Sequence, residues 1–587
     1  MSVTRIFDLL DQNPEKYPGG NEILAGKVGN KWISYNASEY RDICDKLSLG
    51  LLTLGLKKDD KVATIVNNCP EWNFFDMALM QIGAVQIPIY PTISQANYEY
   101  ILKETEVKYI VVSNLEIYER IKHILPEIQS LQGVYSIEKC DELNHWKEIL
   151  DIKMTLTRKD LDTIKTSIHI DDPATIIYTS GTTGNPKGVI LSHSNFIHNF
   201  QGASNILSLN PVKKALSFLP LCHVFERMVN YMYQNMGISI YYCDSIEHVG
   251  DFMREVHPEI FGAVPRVIEK TYDKLVKAGR GLKGVKKQLF FWALNLAHHY
   301  EFEGKGWLYN TQLKIADKLI FTKWREAFGG NLNTIISGGA SLNPRLARTF
   351  WAAGIKIMEG YGLTETSPVI AVGIFEPKGV KFGTVGPIME NVEVKFAGDG
   401  EILTKGPCLM QGYYKQTAYT KEVIDNEGWF HTGDIGEMVE GKYLKITDRK
   451  KEIFKTSGGK YVAPQVVENK FKESSFIENI IVVGENRKFT TAIVLANFEH
   501  IESWCKVKSH PWESHEKAMT DPRIVNRIQR EIEEANQSLD KVEQVRKFEL
   551  ISEPWTIENG ELSPTLKLRR KIILNKHQDL IEKMYTE

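Results

Sequence analysis

Between Lys61 and Ser113 the chain alternates between two kinds of segment: KVATIVN, EWNFFDMALMQIG, AVQIPIY, ANYEYILKET and VKYIVVS. The first, third and fifth are short continuous apolar runs and read as buried strands, while the second and fourth are longer and read as helices. A helix between two strands returns the chain to the same end of a sheet, so the strands pair in parallel and the helices cover its faces. The alternation resumes at KALSFL, a helix around Arg227 to Met236, GISIYYC, a helix over 246–256 and EIFGAV. It returns at NTIISG, a helix after Pro344, and IKIMEGYG. The economical solution is an α/β fold with two doubly wound sheets.

Two regions depart from that rhythm. From 383 to 447 the strands shorten and are broken by glycine, as in VEVKFA-GDG-EILTKG, which predicts the hairpins of a small β-barrel. Residues 274–330 are almost continuous helical pattern and include KKQLFFWALNLAHHY. Two readings of this insertion stand: helices packed on the body, or an amphipathic patch, with Lys286 and Lys287 beside Phe290, Phe291 and Trp292, resting on a membrane or lining an apolar entrance. After ITDRKKEIFKTSGGK the periodic units become shorter and more polar, with a helix near Pro522 to Leu539 and a basic terminal helix. The expected division is therefore residues 1–447 and a smaller α+β domain, 448–587.

At 587 residues, 43% hydrophobic and 25% charged, the chain suits a folded multi-domain protein. Its 72 basic and 74 acidic side chains leave a formal charge of −2, so no global field draws it to nucleic acid and any anion site must be local. The seven cysteines are scattered with no C-x-x-C pair, which predicts reduced thiols and neither a disulfide framework nor a zinc site. The N-terminus has no apolar signal core, and the most apolar stretch, Phe74 to Tyr90, contains Asp76 and Pro88. The expected location is cytoplasmic, at most peripheral at the inner face of a membrane. Oligomeric state and membrane contact stay open.

The loop YTSGTTGNPKG, 178–188, follows the apolar run Ala174 to Ile177. Glycines let backbone N–H groups converge on phosphate oxygens, hydroxyls add donors, and Lys187 adds a compact positive charge. It is not a Walker A loop, since the lysine is followed by Gly188 where that pattern needs Ser or Thr. With LSFLPLCHVFERM (216–228), ISGGASL (336–342), EGYGLTETSP (359–368), GTVGP (383–387), GWFHTGDIG (428–436), ITDRKKEIFKTSGGKYVAP (446–464) and PTLKLRRK (564–571), the loop resembles the motif series of the adenylate-forming superfamily. The resemblance covers about residues 20 to 575. VPRVIEKTYDKL (264–275) and the helical insertion make it similar to the long-chain fatty acid CoA ligases.

The resemblance implies two steps: a fatty carboxylate attacks the α-phosphorus of ATP to give acyl-AMP and pyrophosphate, then the thiol of coenzyme A displaces AMP. It implies phosphate contacts from Thr179, Ser180, Gly181, Thr182, Thr183, Gly184 and Lys187, and Mg2+ on Thr179 and Glu365, with Thr364 beside them. It implies a nucleotide pocket of Gly338, Gly339, Ala340, Glu359, Gly360, Tyr361 and Gly362, with Asp434 and Arg449 at the ribose. Taken alone, Tyr361 reads more readily as a core residue and Asp434 as a turn residue. Lys567 takes the place of the lysine that bridges carboxylate and α-phosphate, Lys451 that of the hinge, and Arg266 and Lys460 are candidates for the coenzyme A nucleotide. His223 shapes the carboxylate site or packs in the core; a fatty acid ionised at pH 7 needs no base. Two departures from the family pattern are EGKYL at 440–444, and Cys222 with Phe225 around His223. The alternatives are an acyl-AMP ligase that loads a carrier protein, a ligase for medium-chain or aryl acids, and a lipid-binding protein without catalysis.

Overall fold

The computed structural model describes residues 3–179, 185–208, 212–245, 247–376, 378–556, 559–563 and 567–586. The alternation near the N-terminus is realised as Lys61–Ile65, Pro70–Gln81, Val85–Pro88, Gln95–Thr105 and Tyr109–Val112. Pro70 opens its helix at a first-turn position where a missing N–H costs nothing. That helix is buried on every side, Trp72, Phe74, Phe75 and Met77 included, which is why it lacks a clean polar stripe. The next helix starts on Ser94, whose hydroxyl accepts from the Asn97 N–H, and stops at Glu106 in the left-handed region, φ 53°.

Two eight-stranded sheets result. One runs Val369–Val372, Lys356–Gly362, Thr334–Ser337, Ile260–Ala263, Lys214–Ser217, Ser239–Tyr242, Glu22–Val28, Lys31–Asn36, parallel except at its two edge strands. The other runs Gly412–Tyr413, Lys187–Ser192, Pro173–Thr179, Val85–Pro88, Lys61–Ile65, Tyr109–Val112, Gly133–Ser136, Asn144–His145. Here the first two pairings are antiparallel and the rest parallel.

The helices of the two sheets are joined by a buried ionic network. Arg227, on the helix Val224–Met236, donates to Asp76 of Pro70–Gln81, to the Tyr231 hydroxyl at 2.7 Å and to the Thr175 hydroxyl at 2.7 Å. Tyr231 donates in turn to the second Asp76 oxygen at 2.6 Å. Both charged side chains are fully buried, so the ion pair and the hydroxyls of Tyr231 and Thr175 together replace their lost hydration.

The chain divides into two compact units, one of Met1–Leu342, Leu346–Val394 and Thr404–Phe430, the other of Asn343–Arg345, Lys395–Leu403 and His431–Glu587. Both large sheets lie in the first. Where a barrel was expected, Glu393–Phe396, Glu401–Lys405, Phe430–Val439 and Tyr443–Arg449 form a four-stranded sheet, and Gly412–Tyr413 pairs instead with the strand that follows the glycine-rich loop. The second unit holds the sheet Ile477–Val483, Thr490–Ala496, Val545–Ile551 and the helix Pro522–Asn536, whose Ile524, Ile528 and Ile532 recur every four residues and are buried.

The insertion is helical as expected: Gly284–His298, Trp307–Ala316, a π-helical turn Asp317–Phe321 and Thr322–Ala327. Phe290 is buried against Gly279 and Trp324, and Phe291 and Trp292 are half-buried. The aromatic run therefore serves packing.

Candidate active site

In a doubly wound sheet the carboxyl ends of parallel strands carry the loops that meet ligands, because each strand gives way there to a crossover. Gly338, Gly339 and Ala340 follow the strand Thr334–Ser337, and Glu359 to Gly362 end its neighbour, with Ser337 opposite Glu359 in register. His223 stands in the connection after Lys214–Ser217, and Arg266 in the first turn of the helix after Ile260–Ala263. The structure thus brings these residues to one edge. Gly339 has φ +85°, a conformation that side chains disfavour. Gly362 is demanded by space: a Cβ there would lie 1.6 Å from the Pro368 carbonyl oxygen. Tyr361 is half-buried opposite Ala371. The Glu359 carboxyl is pushed up to about 8 by desolvation, against one backbone hydrogen bond from Leu342.

Thr179 ends the strand Pro173–Thr179 and is paired with Lys187, the first residue of the returning strand. Ser180, Gly181, Thr182, Thr183 and Gly184 lie outside the described residues. The ammonium of Lys187 sits 3.1 Å from the ring centroid of Tyr419, a cation–π contact. Tyr419 is 5.1 Å from Tyr413, centroid to centroid. Tyr413 donates its hydroxyl to Glu365 Oε1 at 2.7 Å. Burial and the neighbouring carboxylate hold this phenol well above its ordinary pKa, so it remains a donor.

Glu365 lies on the 3-10 turn Thr364–Thr366, which packs against the strand Lys187–Ser192. The Met410 N–H donates to its main-chain oxygen at 2.8 Å. Glu365 Oε2 has no hydrogen-bond partner among the described residues. Sequence reasoning singles out Lys187 and Glu365 as candidates and passes over Tyr413 and Tyr419, which the structure sets against them. Their only signal is the tyrosine-rich run GYYKQTAY, which carries no period.

His223 caps the helix Val224–Met236, its Nδ1 accepting from the Phe225 N–H at 3.2 Å. A neutral ring accepting there carries its proton on Nε2 and presents a donor. The Phe225 ring lies beside Gly338, 3.5 Å from where a Cβ would stand. Glu226, next in sequence, is buried and also escaped the sequence reading. Its Oε1 accepts from the Ser217 hydroxyl at 2.6 Å and Asn230 Nδ2 at 3.4 Å, while Oε2 has no partner among the described residues. Burial pushes this carboxyl up to about 8.

The second unit carries the remaining candidates. Asp434 and Arg449 are register partners across a hairpin and form an ion pair at 3.3 Å, with Asp434 buried and Arg449 half-buried. The Asp434 N–H donates to the Thr432 hydroxyl at 3.1 Å, which fixes the carboxylate's backbone. Lys451 is exposed in the turn that follows, and its N–H makes no hydrogen bond to a described residue. Lys460 is exposed beyond Gly459, φ +79°. Lys567 is partly buried; its N–H donates to the Ser563 hydroxyl at 3.0 Å and its carbonyl accepts from the Ser563 N–H at 2.8 Å. Arg570, part of the same basic run, is turned inward to Glu468 and to the Val482 carbonyl, so one cation of that cluster is a structural anchor.

The model of the AMP-binding enzyme family matches residues 10–414, and that of the AMP-binding enzyme C-terminal domain matches 451–587. A long-chain-fatty-acid–CoA ligase of Mycobacterium tuberculosis, FadD15, is 31% identical over 568 residues, covering 95% of this chain and 94% of the relative. The peroxisomal long chain acyl-CoA synthetase 7 of Arabidopsis thaliana is 32% identical over 606 residues, covering 97% and 84%. Among solved structures, the anthranilate CoA ligase AuaEII in complex with anthranoyl-AMP aligns with a TM-score of 0.73 at 17% identity, covering 97% of each chain. The adenylation domain of a carboxylate reductase from Mycobacterium chelonae aligns at 0.75 and 20%, covering 99% of this chain and 91% of that one. These two share the fold. A family model spanning 10–414 and relatives above 30% identity along almost the whole length place the conclusion beyond the fold: the chain belongs to the AMP-binding enzyme family.

Proposed function

We propose that the chain is an ATP-dependent long-chain fatty acid–CoA ligase, forming acyl-AMP and then the coenzyme A thioester. The observation that carries the reading is the arrangement around Glu365: a carboxylate oriented by Tyr413, on a turn packed against the strand that Lys187 begins. A carboxylate attacking a polyanion needs cations and fixed donors more than it needs an acid or a base. Lys187 and the loop N–H groups hold the outer phosphates. Gly338 to Ala340 and Tyr361 take the adenine, and Asp434 with Arg449 the ribose. The Nε2–H of His223 orients the fatty carboxylate and removes no proton.

Thr179 and Glu365 fit Mg2+, since both offer hard oxygen and Glu365 Oε2 is without a partner among the described residues. The ion would neutralise charge on the departing pyrophosphate. Lys567 bridges carboxylate and α-phosphate during adenylation, and Arg266 and Lys460 receive the coenzyme A nucleotide. The functional division falls at 447/448, with Lys451 as its hinge.

Pyrophosphate release and acyl-CoA formation, measured together from acetate to stearate with and without coenzyme A, test the reading. Both products, peaking at long chains, are expected. Pyrophosphate without acyl-CoA would mean a carrier-loading ligase, a peak at medium or aryl acids would move the substrate class, and silence on both would refute catalysis.

A further inference from the structure

Eleven large hydrophobic side chains are exposed among the described residues, and six of them fall between Val285 and Leu319. Four lie on one helical path: Trp307 at 78% exposure, Leu308 at 58%, Ile315 at 48% and Leu319 at 42%. Along Trp307–Ala327 exposure recurs every three to four residues, at 307/308, 310/311, 314/315, 318/319, 323 and 326/327, while Ala316, Ile320, Phe321 and Trp324 are buried on the opposite side. The exposed path is therefore a continuous stripe that the fold leaves uncovered.

Its charge is one-sided. Lys314, Lys318 and Lys323 alternate with the apolar residues, and none is ion-paired with a described residue. Asp317, the acid between them, is turned to Arg325 at 2.6 Å, which leaves Glu326 as the exposed acid of this segment. The preceding helix packs antiparallel, with the Tyr309 hydroxyl on the Leu296 carbonyl at one end and Phe290 on Trp324 at the other, and it adds exposed Lys286.

We propose that this stripe docks the protein on the anionic surface of a lipid bilayer, Trp307, Leu308, Ile315 and Leu319 entering the headgroup–acyl boundary while the three lysines reach lipid phosphates. Lysines interleaved with large apolar groups suit an interface where the stems lie in apolar surroundings and the ammonium groups stay wet. The core of a protein–protein interface is instead depleted in lysine. The chain's net charge of −2 gives no general attraction to an anionic surface, so binding needs a local basic and apolar patch such as this one. The inference goes beyond the ligase reading and does not depend on it, because the vesicle measurement needs neither ATP nor acid.

The full chain is sedimented with phosphatidylcholine vesicles, with and without phosphatidylglycerol. Wild type should bind the anionic vesicles and barely the neutral ones. At roughly fivefold per lysine, the variant Lys314→Gln/Lys318→Gln/Lys323→Gln should lose on the order of 10²-fold in partitioning. The variant Trp307→Ser/Leu308→Ser/Ile315→Ser should lose at least tenfold, with pyrophosphate release from a soluble acid unchanged. Should either multiple variant fold poorly, quenching of tryptophan emission by brominated lipid, present in wild type and reduced in Trp307→Phe, provides an independent reading. Absence of binding, equal binding to neutral vesicles, unaltered binding by both variants, or a wild-type dimer that the serine variant dissolves would overturn the proposal, the last assigning the stripe to a second copy.

Discussion

Replacing Glu226 by glutamine should change how stability depends on pH. The carboxyl is 1% exposed, one oxygen has no partner among the described residues, and burial moves its pKa from 4.5 to about 8. Between those values the folded state holds a proton that the unfolded chain has released, so wild-type stability falls as pH rises through the interval and levels off above the folded value. At about 1.4 kcal/mol per pH unit, keeping Glu226 protonated costs roughly 3 kcal/mol at pH 7 and under about 1 kcal/mol at pH 5. Glutamine bears none of this cost. It keeps an oxygen for the Ser217 hydroxyl and sets an amide beside Gly262, whose absent Cβ would stand 3.0 Å from Glu226 Oε2. Any strain from the amide is the same at every pH. The stability difference, Glu226→Gln minus wild type, should therefore widen by about 1.4 kcal/mol per unit from about pH 5 to about pH 8 and then stop. Urea midpoints of the full chain, read by tryptophan emission across that range, give the slope. A difference that stays constant, or narrows with rising pH, would show that Glu226 is ionised in the fold and that the burial argument fails.

Tyr413→Phe removes the hydroxyl that orients Glu365, a hydrogen bond to a charged group worth about 1.5 to 3 kcal/mol, so pyrophosphate release should fall roughly 10- to 100-fold and require more Mg2+. An unchanged Mg2+ titration would place the control of Glu365 elsewhere. Lys567→Ala should slow acyl-AMP formation by on the order of 10² to 10³, as loss of one donor to developing charge does; a rate within about threefold of wild type would remove Lys567 from the reaction. Lys451→Pro fixes φ at a position whose N–H bonds to no described residue, so it should leave acyl-AMP formation intact and impair thioester formation. Equal loss of both half-reactions would count against a hinge at Lys451.

Much of this protein is legible locally. A strand's length and a helix's period are properties of neighbouring residues, so the alternation through Lys61–Ile65 and Pro70–Gln81, and with it the parallel sheets, followed from the order of the segments. The glycine-rich loop stands at the end of a strand for the same reason, and its motif companions led to the family that the full-length comparison identifies. What local pattern does not carry is which residues meet. Tyr413 reaches Glu365 from 48 positions away, and Arg227 meets Asp76 across 151. KKQLFFWALNLAHHY reads as the amphipathic segment of the insertion, yet its aromatics are largely covered and Trp307, Leu308, Ile315 and Leu319 are left outside. Apolar side chains are interchangeable in a sequence; which of them loses its water depends on the helices packed over it. Likewise a carboxyl at 226 or 359 is an ordinary acid until surrounding chain displaces its hydration, and only the tertiary structure does that.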